Sequence, residues 1–345
     1  MNYQEQLYLL ESQADMLPDG EARLALLEQA IRLADSHNEQ IDSFELREKL
    51  IDAASAAGNP MKMLVAFSWC LSHVDQHPHL FEPTRMLWPY KWVVDDIDSF
   101  SQMSRALIEQ MMDDMKRRYE EQGLSLRPYY RHLHAHAMHA GQQDDCETLY
   151  RLWLTAPVDD FSDCTACERA HQVEYMVWLH EDERAVALAE PILNGQLSCS
   201  TVPHNTYHHL LIALVRLGRI EEAIDLQRRG YAKIENELSF LDGIANHIRF
   251  LTLLDPERAK ELFEKHLDHA MTSAHQRNQF YFFLAGWLLF ERLRRQGELS
   301  DHLQSLIAKT RSLADAFDRR NGNDYHASLI ESTLALLDSF LSPLD

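Results

Sequence analysis

Apolar side chains in this chain return every three or four positions over long stretches, and short polar runs rich in Gly, Pro, Asp or Asn interrupt them. That spacing marks amphipathic helices, one face of each turned toward a core. Strict alternation and Val/Ile/Thr-rich runs, the marks of strands, are missing, and the good helix formers Leu, Ala, Glu, Arg and Gln dominate. The fold class is therefore all-α. The pattern predicts helical hairpins at Tyr3–Asp15 with Glu21–Ser36, Asp42–Ala57 with Pro60–Val74, Pro83–Val94 with Ser99–Gln122, and Pro128–Ala140 with Asp145–Leu154. After a Pro- and Asp-rich break at Thr155–Asp163 come Cys167–Leu179 with Glu183–Leu193, His204–Leu217 with Ile220–Ile234, Leu238–Leu253 with Pro256–Met271, and Arg277–Gln296 with Leu299–Arg319. Tyr325–Leu341 is predicted as a last, capping helix. Pro60 stands in a first turn, where its missing N–H costs nothing.

The turns and second helices repeat. AGQQDDCETLYRLWL from Ala140, LHEDERAVALAEPIL from Leu179, LGRIEEAIDLQRRGY from Leu217 and LLDPERAKELFEKHL from Leu253 align, and AGNPMKMLVAFSWCL from Ala57 fits the same template with Phe67 in the aromatic position. Each of the first four has a polar turn, an acidic first helical turn, then a small residue at a fixed offset. Those small residues are Cys146, Ala185, Ala223 and Ala259, in steps of 39, 38 and 36 residues. A repeat of this length is a unit that cannot hide its own apolar face and must stack on its neighbours.

The pattern resembles the tetratricopeptide repeat, a helix–turn–helix unit of about 34 residues. The best match is Tyr207 to Tyr231: Tyr207 in the large first-helix position, Leu210 after it, Gly218 at the turn, then Glu221-Glu222-Ala223. It departs from the pattern with Leu211 at the usual small position, Gln227 at the usual aromatic one, no proline after the second helix, and a longer spacing. The resemblance implies a right-handed α-solenoid of about eight hairpins plus the capping helix, running through residues 1–345 as one array. Residues 1–122 would be divergent N-terminal hairpins, 125–271 the best-matched repeats, and 275–345 a C-terminal hairpin and cap. First helices would line a concave groove for a protein or peptide. Carried onto this chain, the family's groove positions fall at Arg131, His139, Glu174, Trp178, Asn205, His208 and Arg216.

Charge narrows the partners. With 33 Lys and Arg against 54 Asp and Glu, the net charge is −21, which repels phosphate backbones and anionic lipid, so neither nucleic acid nor membrane is expected as a partner. The short basic clusters Lys116-Arg117-Arg118 and Arg292 to Arg295 read as solvated helix faces. The opening MNYQEQLYLLESQ has no signal-peptide pattern. No apolar run reaches the roughly 18 residues of a membrane span, so the expected location is the cytoplasm. Five cysteines in a reducing compartment point to metal or redox chemistry rather than disulfides.

Three of those five fall in one stretch: Cys164-x-x-Cys167 and, after about one hairpin, Cys199, followed by His204. Zinc takes thiolate and imidazole in closely spaced pairs. A C-x-x-C at a helix start lets both sulfurs face one ion, and the unpaired N–H groups there favour thiolate. In a stacked array the two helix starts are neighbours, about 10 Å apart. The reading is a structural zinc on Cys164, Cys167, Cys199 and His204, with His171 competing for the fourth position. Three incidental core cysteines and a redox C-x-x-C are the other readings of the same residues. A closed set of four protein donors serves folding; an open position would permit hydrolysis, with Glu168 or Glu174 as base.

RHLHAHAMHA puts His132, His136 and His139 on one helix face, a solvated or core-edge cluster able to respond to pH, with a second metal site as the other reading. Phosphate-loop, dinucleotide, nucleophile-elbow and H-E-x-x-H motifs are missing, and no catalytic residues are assigned. The functional expectation is a protein- or peptide-binding scaffold with a structural zinc. The alternatives are a peptide-responsive regulatory sensor similar to the bacterial quorum-sensing regulators built from such repeats, and a zinc-dependent hydrolase.

Overall fold

The computed structural model describes residues 1–341; of the expected C-terminal segment 275–345, residues 342–345 lie outside the described residues. It is all-helical, with seventeen α-helices and no strand among the described residues. The helices gather into two compact units. Unit 1 is Met1–Ser162 with Ser273–His275, and unit 2 is Asp163–Thr272 with the chain from Gln276 onward. The boundary falls in the Pro- and Asp-rich break, where the repeat pattern alone implies one array running straight through.

Unit 1 holds α1 (Tyr3–Asp15), α2 (Glu21–His37), α3 (Gln40–Ala56), α4 (Pro60–Gln76), α5 (Leu87–Asp96), α6 (Arg105–Glu121), α7 (Arg127–His139) and α8 (Gln143–Thr155). Unit 2 holds α9 (Thr165–Trp178), α10 (Asp182–Leu193), α11 (His204–Arg216), α12 (Ile220–Ile234), α13 (Leu241–Leu254), α14 (Pro256–Thr272), α15 (Gln276–Arg295), α16 (His302–Asn321) and α17 (Tyr325–Leu341). Within each unit, helices pack on their chain neighbours. In unit 2 the odd-numbered ones also pack on each other, α9 on α11, α11 on α13, α13 on α15 and α15 on α17. That is the pairing pattern of a helical repeat protein. No described helix is long and apolar enough to cross a membrane.

The repeated turn has one backbone form. Gly58, Gly141, His180 and Gly218 all take positive φ, at 63, 71, 58 and 72°. In each case the residue's N–H bonds the carbonyl three back and the next N–H bonds the carbonyl five back, as in Gly218 to Val215 and Arg219 to Leu214, or His180 to Val177 and Glu181 to Met176. This left-handed helix stop satisfies carbonyls that would otherwise be orphaned. Glycine carries it without strain, whereas His180 carries a Cβ into the same geometry. The fourth template copy differs: Asp255 is extended and Pro256 starts the next helix. The small residues of the template, Cys146, Ala185, Ala223 and Ala259, are fully buried, which is where two helices approach most closely.

Polar ties between successive hairpins recur at about one repeat length. Tyr3 donates its O–H to Asp42, 39 residues away at 2.6 Å. Arg131 grips Asp95 at 3.0 and 2.9 Å across 36 residues, and Arg216 grips Asp182 at 2.7 and 2.6 Å across 34. Asn246 meets His208 at 3.1 Å across 38 residues. One tie is much longer: Trp178 on α9 donates its indole N–H to the Tyr325 hydroxyl at the start of α17, 147 residues away at 2.8 Å.

Candidate metal centre

Cys164 is the N-cap of α9. Its backbone is extended, and its sulfur accepts the Cys167 N–H at 3.5 Å, standing where Ser or Asp would supply an oxygen. The next turn of the helix brings Cys167 beside it. Ala166 and Ala170 face inward and form, with Ile192 of α10 and Val202, a small buried apolar cluster on which Cys167 and Leu197 pack. Leu197 and Val202 pin the loop from both sides of Cys199. Its own N–H closes the loop on the Val202 carbonyl at 3.1 Å, and the Leu197 N–H bonds the Pro191 carbonyl at 2.9 Å. The apolar residues of QLSCSTVP thus hold the third sulfur against the helix start.

The result is three sulfurs within 4.8 Å of one another, a group able to hold a metal ion. Tetrahedral bonds of about 2.3 Å from one zinc set sulfurs about 3.8 Å apart, inside that limit. Cys164 and Cys199 are exposed and Cys167 is half-buried. Burial, then Cys164 and Cys199 alongside, push the Cys167 thiol upward. Cys199 goes the other way: its modest burial is outweighed by hydrogen bonds from Cys164, Cys167 and Ser200, which hold it below the usual thiol range. Those hydrogen bonds favour the thiolate at Cys199, the form that binds metal. Cys70 and Cys146 are buried elsewhere, with thiols raised to about 12 by desolvation.

The histidines expected as fourth ligand are not in the group. His171 sits one turn past Cys167 with its Nδ1 3.5 Å from Glu174. The His204 ring lies 5.0 Å from that of Phe240, its Nδ1 buried without a hydrogen-bond partner. Phe240 belongs to the segment leading into α13, so the direction of His204 is set by the next repeat. Among the described residues no histidine, cysteine or carboxylate completes the trio within the same distance.

Several expected groove residues are engaged inside the chain. Arg131 is buried against Asp95, and Asp98 takes both His136 and His139 at 3.3 Å. Glu174 faces His171 and, at 3.8 Å, His209. Trp178 is tied to Tyr325, Arg216 to Asp182, and His208 is buried against Asn246. Asn205 is half-buried in the first turn of α11. Asp95 also meets His132 at 2.5 Å, and Asp96 meets His275 at 3.3 Å, so the histidine face of α7 answers a row of aspartates at the end of α5. The DDID run at residues 95–98 was the signal for this. A concavity of about 500 Å³ between α2, α3 and α4 is lined by Arg32, by Arg47 stacked on Trp69 and paired with Asp35, and by Lys62 paired with Glu21 and Glu28.

Fold and site together define an all-helical protein with a three-cysteine candidate metal centre. No protein-family model matches the chain, and no curated protein sequence matches it either.

Proposed function

We propose that this chain is a cytoplasmic tetratricopeptide-like scaffold that binds a protein or peptide. In this reading Cys164, Cys167 and Cys199 hold a structural zinc that ties the start of α9 to the loop before α11. The observation that carries the zinc is the convergence of three sulfurs from two segments, 32 residues apart between Cys167 and Cys199, to within 4.8 Å. Convergence of thiols at a helix start, above a buried apolar floor, is the donor chemistry zinc prefers. The repeat reading is supported by four turns of one backbone form and by the row of odd-numbered helices in unit 2. Side chains along that row, Glu174 and Asn205 among them, would meet a peptide's polar groups.

The test is metal content and stability together. Purified protein should carry one zinc per chain. Free zinc at 1,000 times Kd stabilises by about 4 kcal/mol, so chelation should lower Tm by about 8–16 °C for a unit of this size. Cys164→Ser and Cys199→Ser should reproduce that loss, while Cys70→Ser should cost only a packing defect of about 1 kcal/mol. Equal losses for all three variants, or protein isolated without metal and indifferent to chelator, would remove the zinc. Binding is tested separately, by whether a peptide ligand selected on the folded protein loses affinity on Glu174→Ala or Asn205→Ala.

A further inference from the structure

We infer that the fourth position on the metal held by Cys164, Cys167 and Cys199 is filled from outside the chain, by a neutral imidazole nitrogen of a histidine-bearing peptide. The inference rests on the zinc reading above and deepens it: the centre is a docking point as well as a staple. Three observations lead there. The first is the donor count, since the sulfurs are three and among the described residues no histidine, carboxylate or further cysteine lies within 4.8 Å of all of them. The second is exposure. The apolar cluster of Ala166, Ala170, Ile192 and Val202 forms the floor of the site, while two of its three cysteines, Cys164 and Cys199, are exposed and within reach of a ligand from solvent.

The third is charge. A divalent ion with three thiolates already carries a net charge of −1, on a chain whose own charge is −21. A fourth thiolate or a carboxylate would add another negative charge to an exposed anionic centre, which Coulomb repulsion disfavours. Imidazole adds none and binds zinc well. Among protein donors it is therefore the class that fits both the metal and its surroundings, displacing the water that an open position otherwise holds.

Cobalt(II) in place of zinc makes the coordination visible. Sulfur-to-cobalt charge-transfer bands in the near ultraviolet report the three thiolates, and d–d bands in the visible report the fourth ligand. The full-length chain and a His171→Ala/His204→Ala double variant are each loaded with cobalt. Both are titrated with free imidazole, with the peptide acetyl-Ala-His-Ala-amide, and with its Ala-Ala-Ala counterpart. The expected result is a saturable d–d shift, the same in both proteins, produced by imidazole and the His peptide and absent with the Ala peptide. The His peptide should saturate at a lower concentration than free imidazole.

Three outcomes overturn the inference while leaving the metal in place. In one, the double variant changes the d–d bands before any ligand is added, showing that the chain supplies the imidazole itself. In the second, imidazole and the His peptide leave the bands unmoved. In the third, mercaptoethanol displaces imidazole at equal concentration, which reverses the donor preference. Absence of charge-transfer bands altogether would end the zinc reading as well, and so is told apart from the other three.

Discussion

The two units treat histidine differently. In unit 1 three of the four histidines of α7 meet carboxylates, His132 with Asp95 and His136 and His139 with Asp98, and nearby His275 meets Asp96, while His134 is buried beside Trp153. In unit 2 several histidines are buried away from acids. His247 is fully buried with neither ring nitrogen hydrogen-bonded, and its ring lies 3.1 Å from where a Cβ on Gly230 would stand. His208 is buried against Asn246 and over Gly243, and His266 meets the Tyr231 hydroxyl at 3.0 Å. His326 is bonded to Asp318 yet still depressed to about 4 by burial, and the less buried His171 and His209 face Glu174. His132, His136 and His139 thus meet carboxylates about one repeat back, whereas burial keeps His247, His208 and His266 as neutral packing rings.

Acid should separate the halves, and this is the largest expected effect. Burial lowers His247 to about 3 and His266 to about 4, below the unfolded value near 6.5. The unfolded chain therefore binds the extra protons. The stability these groups contribute is fully present above about pH 6.5 and is lost as pH falls toward their folded values. By pH 4.5 the loss should be on the order of 3–5 kcal/mol. Pulse proteolysis of the full chain, with cleavage sites mapped, should show unit 2 opening first between pH 6.5 and 4.5. Earlier cleavage in unit 1 would break the contrast.

Asp95→Asn comes next. Burial works against the Asp95 charge, but Arg131 and His132 outweigh it and hold the carboxyl well below the usual range. Its contribution is present above about pH 4 and is lost only as the solution becomes more acidic still. Since Arg131 is buried while the carboxylate keeps a third of its exposure, the loss at pH 7 should be about 2–4 kcal/mol. Urea denaturation of the variant would measure it; an unchanged midpoint would mean that water serves as well as the carboxylate.

A smaller effect sharpens the packing side. Gly230→Ala places a methyl 3.1 Å from His247 and from the Tyr207 Cβ, and should cost about 1–2 kcal/mol. The same substitution in a His247→Ala background should cost clearly less, a coupling that additivity would deny. Smallest of all, His180→Gly should raise stability by about 0.5 kcal/mol by relieving positive φ, visible as a small rise in Tm.

Much of this architecture could be read from the residues. α1, α12 and α17 begin and end where the apolar period does, because their caps and breaks are local. α6 starts at Arg105 rather than Ser99, since Ile97–Ser99 winds into a tight 3-10 turn and the Ser104 hydroxyl caps the following helix by accepting the Leu107 N–H. The trio of cysteines was legible because C-x-x-C at a helix start and a return one hairpin later are both short-range facts. The fourth donor was not. His204 is directed toward Phe240, 36 residues on, and no local rule says which way a first-turn side chain leans when the next repeat arrives. The same applies to Arg131 and Arg216: position in the repeat was readable, but the aspartates that hold them lie one unit back.

Those one-period ties also set how the chain can change in length. Removing or adding a whole hairpin keeps the helical phase of the residues that follow it, although it changes the partner at each edge. Deleting one residue inside a helix turns every later side chain by about 100° and pulls pairs such as Arg216 and Asp182 out of reach. A change of one repeat, 36 to 39 residues, therefore keeps that phase, and a change of one residue does not.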